Sequence, residues 1–431
     1  MRIESILRRL HPIPGFVYRK VEYHERLRRR WLLVTIVPRR GAKAVCSGCG
    51  QRRRGYDTLG MRQFSFVPLW GMPVHLLYNM RRVDCHRCGV KVEMVPWADG
   101  KSPMTHALCW FLASWAKALS WKETARRFQR SWDTVFRAVE CAVQWGLQHR
   151  SLDGTTAIGV DELSWKKGQK YLTVVYQVDV HRRRLLHISK DRTAKSFRTF
   201  FDMLGTERSR QLRFVVSDMW AAFSRVIKER CSSAVHLLDR FHVMQLMSKA
   251  IDQTRRDEVR KLKAQGKAPL LSKTRWILLK QPLKLSESHS TKLNELLQHN
   301  LRTVRAYLLK AQFEYFWGYQ AVWAARRYLK RWTTRAMRSR NVHFKKLATT
   351  LRKREPELLN WFRARGKLAL GATEGFNNKA RITTRKAYGF RTYRHAEIAL
   401  YHGLGDLPAS RAARVSAAGA RLAATTALGA I

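Results

Sequence analysis

Acidic residues are scarce in this chain: 31 Asp and Glu stand against 84 Lys and Arg, giving a formal net charge of +53 and a pI near 11.1. A compact chain that positive repels itself unless a polyanion neutralises it, and nucleic acid is the obvious polyanion. A generally basic, ribosomal-type protein has the same balance, so charge points to nucleic acid and to no chemistry. Long apolar runs are missing too. No stretch of about 18 apolar residues occurs, which argues against a helical membrane span and a membrane partner. The opening Met1-Arg2-Ile3-Glu4-Ser5 meets charge at once, so no signal peptide is expected. Cysteine is sparse, with seven in 431 residues, four of them in two Cys-x-x-Cys pairs. That pattern fits a reducing cytoplasm and a metal site better than a disulfide framework. Cys109, Cys141 and Cys231 stand in apolar contexts and read as small buried hydrophobes.

What is present suffices for packed cores: 45% of residues are hydrophobic, and the length predicts two to four domains. Residues 1–30 are basic and mixed. Trp31 to Val37 and Met72 to Val83 read as extended, each leading into a cysteine pair. From Thr105 to about Leu147 the pattern is helical. Between Thr155 and Val243, β-branched runs alternate with helical ones: three strands, a helix, a strand, a helix and a strand, which predicts a mixed α/β sheet. From about Met244 to Leu370 the chain reads as almost wholly helical, and Glu374 to Tyr401 resumes a helix after Gly371.

Cys46-Ser-Gly-Cys49-Gly50 and Cys85-His-Arg-Cys88-Gly89 are two knuckles, each following an extended run. In such a knuckle two thiolates take two corners of a zinc tetrahedron. The glycine behind them tolerates the left-handed backbone that turns amides toward sulfur. Together Cys46, Cys49, Cys85 and Cys88 make a closed structural site for one Zn²⁺; the alternative is two separate redox-active pairs. The nearby run Arg52-Arg53-Arg54, read as a turn, suggests that this zinc ribbon touches DNA.

Trp121 to Phe128, followed by Arg130 to Val139, looks like a bihelical DNA reader. Ala125 permits a close helix crossing. Phe128, Val135 and Phe136 supply a core, and Ser131 is placed to cap a second helix whose first turn enters the major groove. Arg130, Ser131, Thr134 and Arg137 are its candidate DNA contacts. An ordinary helical hairpin is the alternative.

Asp161 ends the apolar run Ala157 to Val160, and Asp218 ends Phe214 to Ser217. Two acids closing adjacent parallel strands repel each other unless divalent cations lie between. Two Mg²⁺ or Mn²⁺ ions about 3.5–4 Å apart would activate an attacking hydroxyl and stabilise a leaving oxygen. Asp in a turn after a strand is the plainer reading of either residue alone. The third acid is Glu374, which shares a helix face with Asn378 and Arg381; Lys379 and Arg381 suit a phosphate. Asp239 and His242, three apart after another apolar run, are candidates to orient the site from behind, as is Asn378.

Taken together, these strings resemble the ISL-three family of insertion-sequence transposases. The resemblance runs from the Cys46 pair to about Arg394. It is carried by the four cysteines, the segment near 121–146, Gly159-Val-Asp161-Glu162, Val216-Ser-Asp218-Met-Trp220, Asp239-Arg-Phe-His242, and Glu374-Gly-Phe-Asn-Asn378-Lys379 leading to Tyr388-Gly-Phe390. It implies a ribonuclease-H-like α/β catalytic domain, a triad on Asp161, Asp218 and Glu374, and an all-α insertion between the last two acids. Arg381 stands where many relatives carry lysine. The expected organisation is a zinc-ribbon domain over 1–100, a helix-turn-helix over 101–150, catalytic residues 151–244 and 371–406 around a helical insertion over 245–370, and a tail over 407–431. The implied activity is metal-dependent cleavage at an element's terminal inverted repeats, followed by joining to target DNA. The implied partners are double-stranded DNA and further copies of the chain, as a homodimer or higher oligomer, at the bacterial nucleoid. A transposase-derived DNA-binding protein without catalysis, or a related structure-specific nuclease, are the competing readings.

Overall fold

A computed structural model describes residues 2–166, 170–266, 271–280, 285–299, 301–365, 368 and 371–410. Most of the expected C-terminal tail, from 411 on, lies outside the described residues. The chain divides into two compact units, Met1–Ser151 together with the chain from Thr383 on, and Leu152–Ile382.

The first unit opens with helix α1 (Ile3–Leu10) and strands β1 (Phe16–Arg26), β2 (Arg29–Pro38), β3 (Ala44–Val45), β4 (Arg52–Leu69), β5 (Met72–Cys85) and β6 (Gly89–Val92). The sheet order is β1-β2-β5-β4-β3, with β6 also paired to β5. Strand alternation places Leu32, Val34 and Ile36 of β2, Phe64 and Phe66 of β4, and Val74, Leu76 and Tyr78 of β5 in one core, sealed by Trp97. Arg52-Arg53-Arg54 is strand, not the expected turn. These residues begin β4, where Arg52 and Arg53 pair with Val45 and Ala44 and Arg54 pairs with Asp84. Ladder hydrogen bonds outweigh their polar, turn-like composition.

Helices α2 (His106–Ala118), α3 (Trp121–Arg127) and α4 (Trp132–His149) follow. Two serines begin the last two: Ser120 Oγ accepts from Glu123 N and Ser131 Oγ from Thr134 N, both at 3.1 Å. The α3–α4 turn has no glycine, and Gln129 takes the left-handed conformation there, at φ 50°.

The second unit is built on β7 (Ala157–Lys166), β8 (Lys170–Val178), β9 (Arg183–Lys190), β10 (Phe214–Ser217) and β11 (Val235–Leu238). Their order is β11-β10-β7-β8-β9. The first three strands run antiparallel, whereas β10 is parallel to β7 and β11 to β10. Helices α5 (Ala194–Leu204), α6 (Thr206–Arg210) and α7 (Ala221–Arg230) lie between the later strands. Ile158, Val160, Val175 and Leu186 on one sheet face pack against Phe197 and Phe200 of α5 and Phe223 of α7.

A helical body follows: α8 (Arg240–Ala264), α9 (Arg275–Leu279), α10 (Glu287–Leu297), α11 (Arg302–Glu314), a 3-10 turn at Tyr315–Gly318, α12 (Val322–Arg338), α13 (Val342–Lys353) and α14 (Glu355–Ala364). It has its own core, in which Met247, Ile251, Phe313, Phe316, Trp332 and Leu358 take part. Of its clustered rings Phe313, Phe316 and Trp317 are buried, while Trp323 is 70% exposed.

Helix α15 (Ala372–Lys386) turns Thr373, Phe376, Asn377 and Ala380 inward, and Phe376 stacks on Tyr176 of β8 at 4.7 Å. The last helix, α16 (Tyr393–Leu404), groups with the first unit. His395 packs edge-on to Phe136 of α4 at 4.7 Å, and Arg394 donates to Glu140 at 2.8 Å.

Candidate active site and metal centre

Both cysteine knuckles are the turns of antiparallel hairpins, β3–β4 carrying Cys46 and Cys49 and β5–β6 carrying Cys85 and Cys88. Gly50 and Gly89 each adopt φ 70°, the left-handed conformation that L residues resist. The hairpins are tied by Met94 N donating to Val45 O at 2.8 Å. All four sulfurs lie within 4.8 Å of one another, Cys49 Sγ to Cys85 Sγ being 3.7 Å, and none forms a disulfide. A cluster of four soft donors at that spacing is compatible with a zinc ribbon and fits Zn²⁺. Beside it lies a concavity of about 810 Å³ lined by Arg39, Arg40, Lys43, Arg52, Arg53 and Arg54 among others.

In the α3–α4 segment the candidate DNA contacts divide. Ser131, the cap, is exposed with Thr134 Oγ1 at 2.8 Å from its hydroxyl, and Arg137 is exposed with Asp133 at 2.9 Å. Arg130 is half-buried and donates to Ser65 of β4 at 3.3 Å; burial lowers its pKa.

In the second unit, Asp161 does not end its strand. It lies inside β7, paired with Val174, because β8 continues alongside as far as Lys166. The β10–β7 register pairs Val216 with Gly159, so both acids stand two residues further along parallel neighbours. Asp161 is buried: Glu162 N donates to its Oδ1 at 2.7 Å, and Asn377 Nδ2 of α15 donates to Oδ2. Tyr176 Oη in turn donates to Asn377 Oδ1 at 3.1 Å. His242 Nε2 lies 3.7 Å from Asp161 Oδ1, and its Nδ1 lies 3.6 Å from Asp239 Oδ2. Asp239 caps α8 through Phe241 N at 2.8 Å. Asp218 accepts from Trp220 N at 3.0 Å, and Arg192 Nη2 stands 3.8 Å away. Arg192 also pairs with Glu162 and lies over the Trp220 ring at 4.7 Å.

Burial raises the pKa of Asp161, and it raises that of Glu162 to about 7. Burial opposes charge on His242, but Asp239, Asp161 and Asp218 together hold its pKa up at about 9. Asp161, Glu162, Asp218 and Asp239 outnumber the Arg192 and His242 that pair with them, and such an excess of carboxylates suits a hard divalent cation with oxygen ligands.

Glu374 is on α15 as expected but exposed, and Asn378, Lys379 and Arg381 are exposed beside it. Arg381 Nη1 donates to Asn378 Oδ1 at 3.3 Å. Among the described residues no three carboxylates or imidazoles close to ligand distance of one another; only the four cysteines do. Thr373 lies in the first turn of α15. The amide that reaches Asp161 belongs to Asn377, not Asn378. Helical spacing carried that signal, because Thr373, Asn377 and Ala380 fall on one side. Arg192 has no counterpart signal in the sequence, since it precedes α5 and meets the acids only through folding.

With this geometry in hand, comparisons with known proteins define the class. A family model described as a transposase, of the ISL-three DDE type, matches residues 158–400. The chain is 30% identical over 387 residues to the transposase for insertion sequence element IS1557 of Mycobacterium tuberculosis, covering 84% of this chain and 86% of the relative. It is 27% identical over 350 residues to the transposase for insertion sequence element IS1001 of Bordetella parapertussis, covering 80% and 85%. The chain belongs to the ISL-three family of insertion-sequence transposases. No helix among the described residues is long and apolar enough to cross a membrane.

Proposed function

We propose that this transposase binds the terminal inverted repeats of its element, hydrolyses the 3′ ends and joins them to target DNA, with Asp161, Asp218 and Glu374 as the acids of the reaction. The observation that carries the reading is the register: Asp161, within β7, and Asp218, immediately after β10, each stand two residues past the paired Gly159 and Val216 of these parallel neighbours. The sheet order, with three antiparallel strands followed by two parallel ones, supports a ribonuclease-H-like domain over 151–244 and 371–406, interrupted by the helical residues 245–370.

Asp161 and Asp218 would hold the divalent ions, two Mg²⁺ or Mn²⁺, and Glu374 stands one helical turn before the amide that touches Asp161. When bound, the ions supply activation of the attacking oxygen and stabilisation of the leaving one. The chain itself supplies the rest. Asn377 and the Glu162 amide fix both oxygens of Asp161, and Tyr176 fixes Asn377. Asp239 and His242 back Asp161, and Arg192 holds Asp218 and Glu162 in place. Lys379 and Arg381, exposed beside Glu374, are placed for phosphate.

The four-cysteine ribbon over 1–100, with one Zn²⁺, and a helix-turn-helix over 101–150 would select the ends. Ser131, Thr134 and Arg137 enter the groove there, Arg52 and Arg54 contact the backbone, and Arg53 and Arg130 act from partly buried positions. Both ends must be held together, so the acting form is a dimer or larger on DNA. The test is cleavage of labelled element ends with Mg²⁺ or Mn²⁺ beside a binding assay. Asp161→Asn and Asp218→Asn should bind ends and fail to cut. Cutting at the normal rate by either variant would refute the assignment.

A further inference from the structure

The helical body between Asp218 and Glu374 carries a face that none of the chemistry above uses. On α12, Trp323, Arg327, Lys330, Arg331, Thr334 and Arg338 recur at three- and four-residue spacing, and all but the half-buried Thr334 are exposed. That spacing sets them on one side of the helix, a stripe roughly 22 Å long at 1.5 Å per residue. Lys330, Arg331, Thr334, Arg335 and Arg338 line a shallow concavity of about 460 Å³. The neighbouring helix α13 extends it, because Arg352 donates to Thr333 at 3.1 Å and to Thr334 at 3.3 Å.

Neither α12 nor α13 contains an Asp or Glu. On other basic helices acids intervene: Asp252 of α8 pairs with Arg255 and Arg256 at 2.9 Å each. Among the described residues only Arg326 of α12 meets a carboxylate, that of Glu355 at 3.2 Å. Among the described residues Arg327, Lys330, Arg331 and Arg338 have no carboxylate partner. A row of uncompensated cations along a rigid rod fits a row of phosphates. The exposed Trp323 adds an aromatic plate at one end, on which a backbone deoxyribose can rest.

We infer that the α12–α13 face is a second DNA-binding surface, one that tracks the phosphate backbone of duplex DNA and reads no bases. The inference rests on the DNA-binding reading above, and the experiment separates the two. Full-length protein is titrated with a fluorescent 40-base-pair duplex of random sequence from 50 to 400 mM salt. Arg327→Gln, Arg331→Gln and Arg338→Gln are combined in one variant. The same three positions changed to Lys make a second. Arg182→Gln, Arg183→Gln and Arg210→Gln, exposed elsewhere on the same unit, make a third. Each phosphate that the protein no longer neutralises flattens the slope of log affinity against log salt by about 0.9. The first variant should therefore show a slope shallower by about 2 to 3, with the Lys and control variants unchanged. A first variant with the wild-type slope overturns the inference and leaves DNA binding intact. Equal flattening in the control reduces the effect to net charge and also overturns it. A wild-type protein with a flat titration defeats both readings together.

Discussion

Gly159→Ala is the substitution on which the catalytic geometry depends most directly. A Cβ built at Gly159 would stand 2.7 Å from Thr373 Oγ1 and 3.4 Å from Val178 Cγ1. Thr373 cannot step aside easily: it is buried, β-branched and restricted in χ1, and its methyl is already 3.7 Å from the same point. Removing a strand glycine would otherwise stabilise by about 0.5–1 kcal/mol, so the sign depends on the clash. Overpacking of this kind costs about 1–3 kcal/mol, and the net expectation is a loss of roughly 1–2 kcal/mol in unfolding free energy. The larger effect should fall on activity. Thr373 and Asn377 lie one turn apart on α15, so a helix pushed off β7 withdraws the amide that holds Asp161 and carries Glu374 with it. Displacements approaching 1 Å at such sites cost about a hundredfold in rate.

The assay pairs urea unfolding with Mg²⁺-dependent cleavage of labelled ends. It is run on Gly159→Ala, on Thr373→Ala and on the double variant. Thr373→Ala removes the obstructing atoms, so it should recover about 1 kcal/mol or more of the Gly159→Ala loss and most of the cleavage, a non-additivity expected of touching residues. Wild-type stability and cleavage in Gly159→Ala, or strictly additive effects in the double variant, would refute the packing argument.

Cys85→Ser should release about one Zn²⁺ per chain and abolish end binding, because a closed zinc site contributes folding energy directly; zinc analysis beside a binding assay checks it, and intact binding without zinc refutes it. Glu374→Gln should leave folding, zinc and end binding intact while removing cleavage and joining, whereas Glu355→Gln and Glu357→Gln, on α14, should still cut. His236 is buried with Ser217 Oγ at 2.8 Å from its Nε2, and burial lowers its pKa to about 4. The unfolded state therefore binds its proton first as pH falls, so this contribution is complete above about pH 6.5 and is lost toward pH 4. Between pH 7 and 5 it should remove about 2 kcal/mol of stability, a dependence that His236→Gln abolishes in urea titrations.

The elements legible in the sequence are those whose burial is one-sided or complete. The run from Ala194 to Leu204 is a helix because Phe197, Phe200, Phe201 and Leu204 fall on one face, and Thr193 caps it by accepting from Ser196 N. The strands carrying Asp161 and Asp218 are continuous apolar runs because both faces of their sheet are covered. Strands β1 and β4 gave little signal, since half of β1 and the first half of β4 are exposed and charged. Their pairing is decided by β5 and β2, which a linear pattern cannot supply. The same limit explains Arg192 and the inward turn of Arg130. Each meets its partners across long stretches of chain, so composition near it says nothing of them. Asn377 was legible in principle, but the choice between neighbouring asparagines needed the face that α15 turns inward.

In a chain with a net charge of +53, the positions of the acids carry more information than those of the cations. Glu93 is buried where Arg81 donates twice to Oε2, at 2.8 and 3.0 Å, and Tyr78 donates to Oε1. That neutralisation lets a guanidinium sit on β5, an interior strand of the sheet. Asp252 does the same for two arginines of α8. Elsewhere acids are withheld: among the described residues none lines the concavity beside the cysteines, and none lies on α12 or α13. Such faces repel themselves in the free protein and are relieved when phosphates arrive, so part of the protein's stability should be conferred by its ligand. The site proposed as catalytic inverts the pattern, gathering Asp161, Glu162, Asp218 and Asp239 with, among the described residues, Arg192 and His242 paired against them. On the proposed function, phosphate is attracted by the outer surfaces and repelled at the acids, a conflict that bound metal ions would resolve at the proposed point of cleavage.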